Sequence, residues 1–174
     1  MDTLLLYHTS PEPITRIHEH GTFGDFLCFA VRPYYTTCVP DPRVYSLEIP
    51  KAQIIEARGF FFHEDADKLD PIVQQVVRMV GCDEDIAEDL LSGVKSLSDI
   101  DSVEFDADMD FHIQRLQGNA AKTLGYRAAL TFDEQGSMYL ISMLGHEDEL
   151  RDVTEEWKQA QETSQDIEGC RPFS

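Results

Sequence analysis

Leu124–Ser142 reads LGYRAALTFDEQGSMYLIS, two alternating apolar runs around Asp133-Glu134-Gln135-Gly136. That pattern specifies a β-hairpin. Gly136 supplies the positive φ such a turn needs, and Asp133 tolerates turn geometry. The hairpin therefore sets two carboxylates, Asp133 and Glu134, at its mouth. Solvated turn residues look like this, and so do carboxylates that hold a ribose or stabilise a cationic transition state. The hairpin alone favours solvated turn residues, because acidic turns are common.

Working outward from the hairpin, the N-terminal side predicts further strands. Leu4 to Tyr7 read as a short buried strand ending at His8. Ser10-Pro11 then reads as a helix start, with Ile14 and Ile17 on one face and Gly21 as the C-cap. Phe26 to Val31 read as a second strand, and VYSLEI at Val44 to Ile49 as a third. Between these two strands, Pro33, Pro40 and Pro42 mark Arg32 to Arg43 as a loop, with Tyr34 and Tyr35 suited to covering a ligand.

The middle, about residues 70–124, predicts helices. Asp70-Pro71 opens one whose stripe is Ile72, Val73, Val76, Val77 and Val80. A second runs from Asp83 over Ile86, Ala87, Leu90 and Leu91. A third is capped by Asp108, turns Phe111, Leu116, Ala120 and Leu124 inward and stops at Gly125. A last helix is expected over about residues 147–161, with Leu150, Val153 and Trp157 on one face. No linker divides residues 1–174, so one α+β domain is expected.

The 174 residues carry 33 acids against 14 Lys and Arg, a net charge of −19. Such a surface repels phosphate backbones, which argues against direct nucleic-acid binding and suits a basic protein partner or a nucleic-acid mimic. The acids concentrate between Asp83 and Asp110. No apolar run reaches the roughly 20 residues of a membrane span, and MDTLLLYH lacks the basic start of a signal peptide. Cys28, Cys38, Cys82 and Cys170 form no CxxC pair and read as reduced structural thiols. A cytoplasmic protein is expected.

Metal and nucleotide motifs are missing. Asp106, Asp108 and Asp110 resemble an EF-hand opening, but Phe111 and Gln117 stand where glycine and glutamate are required. His18 and His20, two apart, diverge on a helix. GxxxxGK[ST], GxGxxG and GxSxG are all absent. Left over are His8-Thr9-Ser10, the tyrosines from 34 to 45, and the hairpin acids.

Taken together, strand–HTS–helix, FGDFLCFA, the tyrosine-bearing loop, VYSLEI and the LGYRAAL–DEQG–YLI hairpin resemble the ADP-ribosyltransferase superfamily. LLLYHTS, GTFGDF, GCDEDIAEDLL, IQRLQGNAAKTLGY and FDEQG are similar to its phage anti-CRISPR branch, which acts on type I-F surveillance complexes. The resemblance implies a split mixed or antiparallel β core; the longer helical middle and the C-terminal helix are where this chain departs from the phage branch. It implies NAD as a consumed substrate and ADP-ribosylation of a protein, such as a CRISPR complex subunit in a bacterial host. By resemblance, His8 orients NAD, and Thr9, Ser10, Phe23, Tyr34 and Tyr35 complete the NAD site. Asp133 takes the catalytic-acid role with Glu134 as its rival, since most of the superfamily uses Glu. Tyr34 and Tyr45 have the tyrosine spacing of diphtheria-type enzymes, with prolines between them. The competing readings are a stoichiometric nucleic-acid mimic and an NAD glycohydrolase toxin.

Overall fold

Seven strands among the described residues form two sheets. The computed structural model describes residues 2–19, 23–33, 41–104, 106–133 and 136–167. In chain order the elements are β1 (Thr3–Ser10), β2 (Phe26–Phe29), β3 (Arg43–Pro50), β4 (Ile54–Glu56), α1 (Asp70–Val76), α2 (Glu84–Ser92), α3 (Ala107–Thr123), β5 (Ala128–Asp133), β6 (Gly136–Ser142), β7 (Arg151–Asp152) and α4 (Thr154–Ile167). The three-stranded sheet is ordered β1-β3-β7 and the four-stranded sheet β2-β6-β5-β4. The class is α+β, with one antiparallel and one mixed sheet.

The hairpin forms in the expected register, from Ala128↔Ile141 to Asp133↔Gly136, with Gly136 at φ 121°. β5 also pairs in parallel with β4, Ile54 opposite Ala128. A parallel pair needs a long crossover, and here the whole helical middle supplies it. Hence α1, α2 and α3 gather on one face of the four-stranded sheet. Cys28, Ala129 and Leu140 from that face join Leu69, Ile72, Val76, Leu90, Leu91, Leu116 and Ala120 in the larger core. The opposite face contributes Phe29, Ala128, Tyr139 and Ile141 to a second core with Leu6, Leu47 and Ile49 of the other sheet. Between the sheets, β1 meets β2 through the single bridge Tyr7↔Ala30.

Several elements depart from expectation. Residues 11–19 are not helical. Pro11 and Pro13 bias Ser10 and Glu12 away from the helical region, and side chains capture the amides instead: Ile14 N–H donates to the Tyr45 hydroxyl (2.8 Å) and Ile17 N–H to Glu147 Oε1 (3.1 Å). Gly21, the expected cap, lies outside the described residues. The first strand does not end at His8 but runs on through Thr9 and Ser10, because β1 zips against β3 as far as Ser10↔Arg43.

In the helical middle, Asp106 rather than Asp108 caps α3, its carboxylate accepting from Asp108 N–H at 2.9 Å. Phe111 is exposed rather than inward. Leu69, not Asp70, precedes the first helical residue of α1. The final helix starts at Thr154 because Arg151 and Asp152 are taken up by pairing with β3. α2, by contrast, follows its pattern, capped by Asp83 through Ile86 N–H at 2.9 Å.

Candidate functional site

Antiparallel partners share a face, so one face of the β1–β3 ladder carries the rows Leu4/Ile49, Leu6/Leu47, His8/Tyr45 and Ser10/Arg43. The first two rows are core. The last two are polar.

His8 reaches across to β2, its Nδ1 lying 2.7 Å from the Cys28 carbonyl. A carbonyl only accepts, so Nδ1 carries the proton. Desolvation by burial pushes the His8 pKa below the ordinary histidine value, against the smaller opposing effect of the Cys28 bond. The ring is therefore neutral near pH 7, and Nε2 presents a lone pair. Phe29 packs against it at 5.6 Å between ring centres.

Backbone direction defines the next groups. Tyr7 exchanges both of its hydrogen bonds with Ala30, at 2.8 and 2.9 Å. Backbone groups alternate sides along a strand, so Thr9 also turns its N–H and C=O away from β3. They face the gap where the two sheets part. The Thr9 side chain lies on the opposite face from His8, with Oγ1 buried and without a partner. Ser10 is buried, and its hydroxyl donates to Glu12 C=O at 2.6 Å. Tyr45 is also buried, and its hydroxyl accepts from Ile14 N–H. It is a packing residue rather than a stacking platform.

Asp133 closes β5 opposite Gly136. Along the register His8 aligns with Phe29, Tyr139 and Leu130, so Asp133 stands three residues further on and three strands across. That is roughly 10 Å along the strands and about 14 Å across a flat sheet. The fold does not bring His8 and Asp133 into contact. One extended ligand spanning both is required if they share a site. Phe23 packs on the helical side, edge-on to Phe111 of α3 at 5.5 Å. Tyr34, Tyr35 and Glu134 lie outside the described residues.

Arg43 and Asp152 were not singled out from sequence. Arg43 Nη2 donates to Asp152 Oδ2 at 2.6 Å, joining β3 to β7. Thr154 donates its N–H (3.0 Å) and its hydroxyl to Asp152 Oδ1. The Thr154 hydroxyl bond, followed by desolvation in the other direction and then the remaining bonds, leaves the Asp152 carboxyl below its usual range. The sequence signal for Arg43 was its place one step before VYSLEI, on the same face as Tyr45.

Cavities of about 570 and 460 Å³ are lined by described residues elsewhere, the larger beside Arg127 and His146, the smaller between Tyr7 and Trp157. Farther away, α2 exposes Asp83, Glu84 and Asp85. Desolvation, then Asp85, Glu84, Asp70 and Asp89, pushes the Glu88 carboxyl above its usual range.

The fold and this polar row define an α+β protein with a candidate binding edge where two sheets part. No protein-family model matches the chain, and no curated protein matches it. Among solved structures, the crystal structure of an anti-CRISPR protein is similar over 80% of this chain and 89% of that chain, with 22% identity and a TM-score of 0.49. A likeness at that level establishes neither family nor function.

Proposed function

We propose that the chain is a mono-ADP-ribosyltransferase that consumes NAD and modifies a protein. The observation that carries this reading is the His8 geometry. A neutral imidazole locked by Cys28 C=O offers Nε2 as an acceptor for a ribose hydroxyl. Beside it, the outward N–H and C=O of Thr9 complement an edge with one acceptor and one donor, as adenine has in N1 and its amino group. An adenosine end meets those needs. Asp133 stands at a distance that an extended dinucleotide spans.

In the reaction, the bond between ribose C1′ and the nicotinamide nitrogen breaks, and nicotinamide leaves with the electron pair. Positive charge develops on the sugar as in glycoside cleavage. Asp133, with Glu134 as the rival, stabilises that charge and holds the 2′-hydroxyl. A nucleophile of the target then bonds to C1′ and loses its proton. His8 does no proton transfer; it orients the far ribose. The motif resemblance supports a CRISPR complex subunit as target, and the acidic sector of α2 suits a basic face on it.

Labelled NAD incubated with candidate complexes tests this reading. Wild type should label the target, and His8→Ala and Asp133→Ala should not. Equal labelling by wild type and Asp133→Ala would sink it. Nicotinamide release without any acceptor would assign a glycohydrolase. The crowded carboxylates around Glu88 favour a second reading, a charge mimic of nucleic acid. Its mark is inhibition that needs no NAD and fades with salt.

A further inference from the structure

Two buried side-chain polar atoms among the described residues have no hydrogen-bond partner, Thr9 Oγ1 and Arg43 Nε. Such atoms are rare in folded proteins and each calls for an explanation. Both sit on the β1–β3 ladder beside His8. Thr9 points to the other face, but Arg43 shares the His8 face, two residues from Tyr45. A diagonal pair of that kind lies about 7–8 Å apart, within reach of a long side chain.

The ordinary account of Arg43 is a tie between β3 and β7. That explains Nη2, which Asp152 holds at 2.6 Å, and the Tyr45 hydroxyl also lies against the guanidinium. It leaves Nε–H buried and unanswered. A guanidinium fixed at one corner presents its remaining donors in a set direction, which suits planar recognition of phosphate oxygens. A chain of net charge −19 also needs a local cation wherever it accepts an anionic ligand.

We infer that Arg43 is a binding residue of the His8 site, its Nε–H donating to an oxygen of the diphosphate bridge of the dinucleotide. This rests on the NAD reading above. His8 then takes the adenosine ribose, Arg43 the diphosphate next to it, and the gap beside Thr9 the adenine.

Titration calorimetry with ADP-ribose and with adenosine, which lacks phosphates, tests the inference on wild type, R43Q and R43K. Lysine keeps the charge facing Asp152 but has no Nε–H, so R43K covers the case in which R43Q folds poorly. Both variants should bind ADP-ribose about tenfold or more weakly and adenosine as wild type does. In turnover, KM for NAD should rise with kcat nearly unchanged. Wild-type affinity for ADP-ribose in R43K, or equal weakening of both ligands, overturns the role of Arg43 alone. A wild-type protein that binds no ADP-ribose overturns the NAD reading with it.

Discussion

The two faces of the four-stranded sheet are built to different rules. On the helical face the core gathers nineteen buried residues among those described, against nine on the face toward the other sheet. The helical face is nearly all aliphatic, and its buried amide is matched: Gln117 Nε2 donates to the Leu90 and Leu91 carbonyls at 3.3 and 3.1 Å. The smaller core runs out into Ser10, His8, Tyr45 and Arg43, where one buried donor goes unanswered. Stability is concentrated where polar groups are few and satisfied. Polar groups, one of them unsatisfied, are held at the margin of the lesser core.

That contrast can be broken by experiment. Leu91→Ala, at a fully buried position, should destabilise by about 3 kcal/mol in denaturant unfolding, with the NAD turnover proposed above unchanged per folded molecule. His8→Ala should lower the proposed turnover per folded molecule by about 100-fold, with a smaller loss of Tm than Leu91→Ala. If both variants lose stability and turnover together, the faces are not separable. Gln117→Leu leaves two carbonyls of the last turn of α2 without their side-chain donor and should cost about 2 kcal/mol.

A pH series sharpens the site side. The folded His8 pKa lies below its ordinary value of 6.5, so the unfolded chain binds the proton more readily. Stability then rises with pH through that window and is lost as pH falls below about 6.5. Protonation also turns Nε2 from acceptor to donor, so NAD affinity should fall on the same acid side. His8→Asn should flatten this part of the stability profile. The smallest effect belongs to Glu88→Gln. The raised carboxyl of Glu88 opposes folding once it ionises, and its removal should stabilise by a few tenths of a kcal/mol at neutral pH and low salt.

Much of the fold was legible locally. The hairpin, VYSLEI and α2 carry their own periodicity and caps, so nearby residues settle them. The failures came from distant partners. Nothing near Pro11 announces that Tyr45 and Glu147 will hold the amides of Ile14 and Ile17, and nothing in Arg151-Asp152 announces pairing with β3. Asp108 was expected to cap α3 in place of Asp106 because the two stand two residues apart in one acidic run. Of the site, His8 was legible as a strand-end histidine, although its tautomer needed Cys28, twenty residues away in sequence. Arg43 was hidden because its role depends on a bond to Asp152 across the sheet.

Residues 11–19 have one more consequence. Tyr45 and Glu147 grip this segment by main-chain N–H groups, and apart from Ile14 and Ile17 its side chains are exposed. Anchorage is therefore nearly blind to which amino acids the segment contains. Homologues are free to vary its exposed positions widely while the path over the second core stays the same. Proline at position 14 or 17 is the exception, since it deletes the N–H being held.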